Sequence, residues 1–167
     1  IEKSDFAEVP PPKFQRLKPD GEVRLMGAYI VKCNEVVKDE NGEIVEIRCT
    51  ADLETGNGMP ADGRKVKGTI HWVSAAHAVD ADLYLYDNLF TLENVGDVPE
   101  GTDYLDYLNP DSLKKLTGCK LEPSLRDAKE GERFQFVRMG YYVKDREEGR
   151  FNRIVTLKDS FAKTLQK

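Results

Sequence analysis

The sequence is constrained most by two long β-type segments that a short turn separates. Residues 22–37 are rich in Val, Ile and Tyr, and residues 43–53 continue in the same style after the turn "KDENG". This composition is typical of strands, because branched and aromatic side chains fit a pleated surface. The dipeptide Asn41-Gly42 is a strong hairpin signal, since both positions of a two-residue hairpin turn require positive φ. The two segments are therefore predicted to form an antiparallel hairpin.

Strand patterns also dominate the rest of the chain. The stretch "KVKGTIHWVSAAHA" at residues 65–78 predicts a strand that ends in a turn, and residues 81–90 predict another strand. "RFQFVRMGYYVKD" and "RFNRIVTLKD" predict two more, whereas "NPDSLKKL" at residues 109–116 fits a helix start and the overlapping residues 113–122 fit a strand equally well. Six or more strands without strand–helix alternation favour an all-β fold of one or two antiparallel barrels or sandwiches.

Length and composition indicate a globular protein with a modest core. The 167 residues suit one ordinary domain or two small ones, and 40% of them are hydrophobic. No apolar run is long enough to span a membrane, so no membrane partner is expected. Residues 1–12 lack the apolar region of a secretory signal peptide. The chain does not begin with Met, so we expect a piece of a longer protein, and its last residues, "SFAKTLQK", are expected to fray.

The charge balance restricts the kind of nucleic-acid binding that is open to this chain. There are 25 Lys and Arg against 30 Asp and Glu, which gives a net charge of −5. Proteins that coat nucleic acid without sequence preference are usually basic. RNA binding by this chain would therefore require a local basic surface with specific contacts.

The three cysteines predict neither a disulfide framework nor a zinc knuckle. The number of cysteines is odd, and no CxxC motif is formed by Cys33, Cys49 and Cys119. We expect reduced, buried thiols in a cytoplasmic protein.

Both histidines of the chain, His71 and His77, flank its single tryptophan, Trp72. A zinc site requires further ligands at suitable spacing, and a nucleophile requires a partner base. Neither set is present in the sequence. We therefore predict no metal, two structural or surface histidines, and a tryptophan in the core.

No catalytic constellation is evident. The GxxxxGK[ST] and GxGxxG phosphate loops are absent. The acidic, aromatic stretches "DADLYLYD" and "TDYLDYLNPD" are more typical of surface charge and core aromatics than of an acid–base pair. Arg64, Lys65 and Lys67 fit phosphate contact and a solvated strand end about equally well. We predict no catalytic residue in this chain.

Two clusters combine basic and aromatic side chains. The first is "KFQRLKPDGEVRL", which contains Lys13, Arg16, Lys18 and Arg24 around Phe14. The second is "RFQFVR" at residues 133–138, where Gln135 would face away from two phenylalanines and Arg138 on a strand. Arginine can bind guanine edges or phosphate, and aromatic rings can stack on splayed bases. A charged strand with a buried Phe pair explains the second cluster about as well.

Several of these segments resemble one family. "DGRKVKGTIHWVSAAHA", "LYLYDNLF", "FQFVRMGYYVKD" and "FNRIVTLKD" are similar to the C-terminal anticodon-binding region of glutaminyl-tRNA synthetases. The resemblance runs from about Asp5 to Lys158. It implies two β-barrels of the type found in a 5S-rRNA-binding ribosomal protein, and it makes the histidine-containing stretch a scaffold strand and turn.

The resemblance also implies a domain organisation. Residues 1–12 would be a linker or strand from the proximal barrel, residues 13–90 the complete distal barrel, and residues 91–167 the returning part of the proximal barrel. The catalytic domain of the family, with its HIGH-like and KMSKS-like motifs, has no counterpart in the chain.

The resemblance assigns roles in base recognition. Arg24 would read the first anticodon base and Arg16 the third, which is a guanine in glutamine anticodons. Gln135 would contact the central uracil with Arg138 close by. Lys13 and Gln15 would lie at neighbouring contact positions.

Three positions depart from the family pattern. Met26, Tyr84 and Asn88 stand where relatives often carry arginine. Fewer phosphate contacts are therefore expected from the distal barrel.

The function that the resemblance implies is recognition of the anticodon of tRNA for glutamine. The whole enzyme would be a cytoplasmic monomer that attaches glutamine to this tRNA with ATP and Mg²⁺, whereas this part would bind no cofactor. Two alternatives stay open. One is a glutamyl-tRNA synthetase of the archaeal and eukaryotic kind, and the other is a stand-alone RNA- or protein-binding barrel.

A partial proximal barrel would leave strands 133–145 and 150–159 without a neighbour. We expect such an edge to expose an apolar face that carries Phe134, Phe136 and Tyr142. The second half is therefore predicted to be less stable and to self-associate.

Overall fold

The computed structural model describes residues 1–157, and its contacts divide the chain into two compact units. The first unit comprises Ile1–Trp72, and the second begins at Val73. Each unit has its own hydrophobic core and its own sheet.

The first unit is a four-stranded sheet in the order β3-β2-β1-β4. Its strands are β1 (Glu22–Leu25), β2 (Ile30–Lys38), β3 (Ile44–Asp52) and β4 (Thr69–Ile70). β2 pairs antiparallel with both β1 and β3, so the predicted hairpin is confirmed. β4 runs parallel to β1. The core beneath this sheet consists of Leu17, Val23, Val31, Cys33 and Ile70.

The hairpin turn differs from the predicted two-residue form. Gly42 N–H donates to the Asp39 carbonyl at 3.0 Å, and Asp39 N–H donates to the Glu43 carbonyl at 2.9 Å. Gly42 has a φ of 81°, but Asn41 is not in the left-handed region. A longer loop with one left-handed residue needs glycine at that position only. The Asp39 carboxylate also accepts hydrogen bonds from the N–H groups of Asn41 and Glu43.

The N-terminal residues belong to the first unit. A single 3-10 turn spans Lys3–Asp5, and Phe6 forms a parallel bridge with Leu17. Ala7 N–H donates to the Leu17 carbonyl, and Leu17 N–H donates to the Asp5 carbonyl. Residues 1–12 were expected to come from the proximal barrel, but these bonds place their first half beside the sheet that β1–β4 form.

The second unit is a five-stranded sheet in the order β6-β5-β9-β8-β7. Its strands are β5 (Val79–Tyr86), β6 (Leu113–Leu121), β7 (Arg133–Phe136), β8 (Gly140–Lys144) and β9 (Arg150–Val155). β5 and β9 are parallel, and the other pairs are antiparallel. Short 3-10 turns lie at Val95–Asp97, Tyr104–Tyr107 and Pro123–Leu125. The core consists of Ala81, Leu83, Leu121, Tyr142 and Phe151.

The all-β prediction is confirmed, and three details are revised. The division falls between Trp72 and Val73, earlier than the boundary near residue 91, because β5 hydrogen-bonds to β6 and β9. In the ambiguous region, Leu113–Leu121 form strand β6. Two parallel pairs make the sheets mixed, whereas antiparallel pairing alone was expected. Closure of either sheet into a barrel stays a prediction.

The predicted apolar edge of the second half is wrong in its main features. β9 and β8 each have neighbours on both sides, and within residues 73–157 the sheet ends at β6 and at β7, the first part of the predicted strand 133–145. Tyr142 is 1% exposed, and the Phe136 ring stacks on it with centroids 4.3 Å apart. These rings pack in the core of the second unit and do not form an exposed apolar face. Self-association stays a prediction, and "SFAKTLQK" lies outside the described residues.

The histidine-containing stretch is less regular than expected. Within residues 65–78, only Thr69–Ile70 forms a strand, and the residues on either side of this pair are irregular or lie in turns. Trp72 was predicted to lie in the core, but the residue is 36% exposed, and its Nε1–H donates to the Met26 carbonyl at 3.1 Å. The His77 ring lies 2.9 Å from the Ser74 hydroxyl. Within residues 1–157 no group of three or more His, Cys, Asp or Glu side chains is arranged to hold a metal.

The thiols differ in exposure. Cys33 is buried and Cys119 half-buried, but Cys49 is exposed, so the expectation of three buried thiols is wrong for Cys49. Among the described residues, no helix has the length and apolarity needed to cross a membrane.

Candidate nucleic-acid interface

Arg24 projects from the middle of β1, where its backbone pairs with Ile30 of β2 and Thr69 of β4. The preceding residue, Val23, is completely buried, and strand alternation directs Arg24 to the opposite face. The Arg24 Nη1 donates to the Gly56 carbonyl at 3.0 Å, and Nη2 donates to the Gly58 carbonyl at 2.6 Å. Both bonds hold the guanidinium in one orientation while it stays half-exposed.

The loop that holds Arg24 is itself anchored by an ionic network. Arg64 contacts Asp52 at 2.5 Å, Asp62 at 2.8 Å and Glu22 at 3.2 Å. The Asp52 carboxylate also accepts hydrogen bonds from the Thr55 N–H and hydroxyl. The Thr55 bonds and then Arg64 hold the pKa of Asp52 well below its usual range. All three nitrogen groups of Arg64 are engaged in these ion pairs, so the phosphate-contact interpretation loses support and the structural one gains it.

Arg16 is partly committed to the fold. Its Nη1 donates to the Ser4 carbonyl at 2.8 Å and to the Ser4 hydroxyl at 3.1 Å, and lies 3.3 Å from the Asp5 carboxylate. Asp5 is 2% exposed, whereas the Arg16 side chain is 35% exposed. A buried carboxylate requires a facing cation to offset lost hydration. Arg16 therefore has a structural role that the sequence did not reveal.

Lys13 and Gln15 precede Arg16 on an exposed segment. Lys13 has a φ of 64°, and the Phe14 N–H donates to the Pro11 carbonyl in the same turn. The backbone of Gln15 passes close to Gly68, where an added Cβ would lie 1.8 Å from the Gln15 carbonyl oxygen. Gly68 also has a φ of 93°, which favours glycine. This close approach fixes the segment carrying Lys13, Gln15 and Arg16 against the chain that leads into β4.

Gln135 is exposed on β7, in the second unit. Its neighbours Phe134 and Phe136 point the other way and pack against the core. The Phe134 ring meets Phe151 edge-on, with centroids 6.1 Å apart. The predicted opposition between Gln135 and the Phe pair is confirmed.

Arg138 lies in a hairpin turn, so the prediction of one continuous strand through residues 133–145 is wrong. The Met139 N–H donates to the Phe136 carbonyl at 2.9 Å, and Arg138 has a φ of 70°. At Gly140 an added Cβ would lie 2.7 Å from the Val155 carbonyl oxygen. The turn brings β8 close to β9 and places Arg138 three residues from Gln135, at the end of the hairpin.

Tyr141 is a candidate that sequence reasoning missed. It lies directly opposite Gln135 in the β7–β8 register and opposite Val155 in the β8–β9 register. Residues opposite each other on antiparallel strands share a face. Tyr141 is 42% exposed and Val155 is 52% exposed. An exposed aromatic ring beside an amide is a suitable surface for a stacked, hydrogen-bonded base.

Two of the positions that depart from the family pattern have contacts of their own. The Tyr84 ring lies under two cations, with the Arg150 guanidinium 4.7 Å and the Lys115 ammonium 5.1 Å from its centroid. The Asn88 carbonyl accepts a hydrogen bond from the Asn109 side chain at 2.8 Å. Tyr84 therefore holds cations at the surface of the second unit, although it carries no charge itself.

The candidate residues fall into two groups, one in each unit. Lys13, Gln15, Arg16 and Arg24 lie in the first unit, and Gln135, Arg138 and Tyr141 lie in the second.

Comparison with known proteins gives consistent results over nearly the whole chain. Residues 1–52 and residues 69–145 each match a family model described as tRNA synthetases class I (E and Q), anti-codon binding domain. The chain is 52% identical to the glutamine–tRNA ligase of Xanthomonas campestris pv. campestris (strain 8004), over 98% of its own length and 29% of the relative. It is also 52% identical to the glutamine–tRNA ligase of Ectopseudomonas mendocina (strain ymp), over 96% of its length and 30% of the relative. The chain thus spans less than a third of these relatives.

Proposed function

Because the chain belongs to the anticodon-binding domains of the class I tRNA synthetases for glutamate and glutamine, we propose that it reads the anticodon of tRNA for glutamine. The observation that carries this proposal is the identity of about half the residues to glutamine–tRNA ligases across 98% of the chain. The geometry adds exposed donors on fixed backbones in both units.

The second unit suits the central base of the anticodon. The Gln135 amide offers both a donor and an acceptor, which is the requirement for pairing with one edge of uracil. Tyr141 lies opposite Gln135 on the same face, where its ring can stack on that base. Arg138, at the end of the hairpin, adds positive charge for the neighbouring phosphate.

The first unit suits the outer bases. Arg24 is held by two backbone carbonyls, so little side-chain entropy is lost when it binds the first base. Arg16 uses only Nη1 for its contacts with Ser4 and Asp5, and its remaining donors match the guanine of the third position. Lys13 and Gln15 lie beside Arg16 and supply exposed contacts to the same part of the loop.

The activity of the whole protein is part of the same proposal. A longer chain of the relatives' kind would attach glutamine to its tRNA with ATP and Mg²⁺ in the cytoplasm, and would act as a monomer. The 167 residues contribute discrimination and no reacting group. The runner-up amino acid is glutamate, since the matching family models cover both synthetases, but the relatives compared above are glutamine–tRNA ligases.

Arg24 provides the sharpest test of base reading against phosphate contact. Arg24→Lys keeps the charge but loses the planar fork that two carbonyls hold. Binding of this variant and of wild type to anticodon stem-loops is measured at fixed salt, with the first anticodon base varied. We expect the variant to bind all stem-loops with similar affinity, whereas wild type prefers the glutamine anticodons. An unchanged preference in Arg24→Lys would contradict the assignment of Arg24 to the first base.

A further inference from the structure

Two of the three cysteines face each other across the β2–β3 hairpin. Cys33 on β2 and Cys49 on β3 are direct partners in the register. They lie on the same face of the sheet, because opposite residues of antiparallel strands share a face. Sequence patterns did not predict this pairing, because fifteen residues lie between the two cysteines.

The hydrogen-bond pattern brings this pair especially close. Cys33 N–H donates to the Gly21 carbonyl at 3.0 Å, on the β1 side of β2. In an antiparallel strand the N–H and C=O of one residue point to the same neighbour, so Cys33 makes no ladder bond to β3 at this position. Such non-hydrogen-bonded pairs have Cα atoms about 4.5 Å apart. This spacing falls within the range of about 4.4–6.8 Å that a disulfide requires.

The two thiols differ in accessibility. Cys49 is exposed, whereas Cys33 is 1% exposed and belongs to the first core. A small oxidant in solution therefore reaches Cys49 first, and the Cys33 sulfur lies behind it. The partial burial of Cys49 and then the adjacent Cys33 raise the pKa of the Cys49 thiol. The raised pKa keeps the Cys49 side chain mainly in its less reactive thiol form.

We propose that Cys33 and Cys49 form an oxidisable pair that closes to a disulfide across β2 and β3 when the chain meets hydrogen peroxide. The Cys49 thiolate attacks one peroxide oxygen, the O–O bond breaks, and the leaving hydroxide takes up a proton to become water. The resulting sulfenic acid is attacked by the Cys33 sulfur, and the S–O bond breaks with loss of a second water. Two thiols are oxidised, and one peroxide is reduced to two waters.

The closed pair would change the unit that carries Arg24. Cys33 lies in the core beside Val23 and Val31, and β2 pairs directly with β1. A cross-link from β2 to β3 therefore fixes the hairpin on which Arg24 depends for its position. In the reduced form, β3 is held by its ladder hydrogen bonds, by the packing of Ile47 against the core and by the Arg48–Glu35 ion pair, without a covalent link to β2.

The test is thiol counting on the whole chain before and after treatment with hydrogen peroxide. We expect three titratable thiols to fall to one in the denatured chain, a mass loss of two hydrogens, and a linked pair of peptides that contain Cys33 and Cys49. Dithiothreitol should restore three thiols. Three thiols remaining after peroxide, or a linkage that involves Cys119, would overturn the proposal.

Serine variants separate the proposed pathway from non-specific oxidation. Cys119→Ser should close the disulfide as wild type does, because Cys119 lies on β6 in the second unit. Cys33→Ser should instead accumulate a sulfenic or more oxidised Cys49, which gains oxygen mass and forms no internal disulfide. Cys49→Ser should keep the buried Cys33 thiol under the same treatment. Equal loss of Cys33 in wild type and in Cys49→Ser would contradict the assigned order.

Discussion

Gln135 on β7 lies directly opposite Tyr141 on β8, and both side chains occupy the exposed face of the second sheet. The opposite face carries Phe136 and Tyr142, whose rings stack in the core. The same two strands therefore stabilise the unit with one face and present an amide and an aromatic ring with the other. The first two predictions concern the two exposed side chains, Tyr141 and Gln135.

Tyr141→Ala should weaken binding to a glutamine anticodon stem-loop by about 5–150-fold. Stacking of a base on an aromatic side chain is worth roughly 1–3 kcal/mol. Tyr141→Phe is the matched control, because it keeps the ring and should bind almost as wild type does. The measurement is a stem-loop titration at fixed salt. Equal affinity of the Ala variant and wild type would contradict the stacking role.

Gln135→Glu should remove the preference for uracil at the central position. The substitution keeps the shape of the side chain but replaces the amide donor with a carboxylate oxygen. We expect the largest loss of affinity for the natural anticodon and smaller losses for stem-loops with another central base. Uniform losses across all central bases would instead indicate charge repulsion with the RNA backbone, and Gln135 would not be a base-reading residue.

Arg16→Ala should destabilise the first unit as well as weaken RNA binding. It removes a cation that faces the buried Asp5 carboxylate, and breaking a buried ion pair costs about 3–5 kcal/mol. Arg16 is partly exposed, so we expect the lower end of this range or less. Urea unfolding followed by Trp72 fluorescence measures the change in the first unit.

The double variant Asp5→Asn with Arg16→Ala separates the two roles of Arg16. Neutralising Asp5 should recover most of the lost stability, whereas binding to stem-loops with guanine at the third position should stay weak. Recovery of both stability and binding would show that Arg16 acts only through the fold.

Acid should destabilise the second unit through Asp145. The Glu147 N–H, the Arg150 guanidinium and the Asn152 amide all donate to this carboxylate and hold its pKa well below the usual range. A depressed pKa in the folded state stabilises the fold above the unfolded pKa of about 3.9. That stability is lost as the pH falls from there through the folded pKa.

The variant Asp145→Asn should remove most of this pH dependence. Urea midpoints between pH 7 and pH 2, followed by far-ultraviolet circular dichroism, measure it. Asp127→Asn makes the same charge change at an exposed position of the same unit and serves as the control. If both variants show the same acid dependence as wild type, Asp145 does not govern the acid stability of this unit.

Gly68→Ala should destabilise the first unit more than Gly63→Ala does. Both residues have positive φ, and an alanine in that region costs roughly 1–2 kcal/mol. At Gly63 the new Cβ would meet open space, but at Gly68 it would lie 1.8 Å from the Gln15 carbonyl oxygen. The Gln15 backbone must then move, so Gly68→Ala should also weaken RNA binding. Equal urea midpoints for the two variants would contradict the close approach.

Local sequence patterns were sufficient to predict structure that forms between segments close together in the sequence. Val- and Ile-rich runs on either side of Gly42 predicted the β2–β3 hairpin, and it forms. The turn at Arg138 was missed because residues 137–139 contain no Gly, Pro, Asn or Asp, and only the following Gly140 marks it. Once that turn is placed, the alternation of β8 puts Tyr141 beside Gln135.

Pairing between distant strands was beyond the reach of local patterns. The parallel pairing of β5 with β9 places β5 in the second unit, so the boundary lies at Trp72. No sequence pattern near residue 79 predicts pairing with a strand near residue 150. The meeting of Cys33 with Cys49 and the buried ion pair of Asp5 with Arg16 arise in the same way. The family resemblance identified the candidate residues, but only the folded chain shows which of them also stabilise it.

The central claim is that the chain distinguishes anticodon bases and does not merely bind RNA. The most direct measurement is the affinity of the wild-type chain for a set of anticodon stem-loops that differ from the glutamine anticodon at one position each, at one salt concentration. We expect each wrong base to cost about 1–3 kcal/mol, or roughly 5–150-fold in affinity. Equal affinity for every stem-loop in the set would contradict the claim.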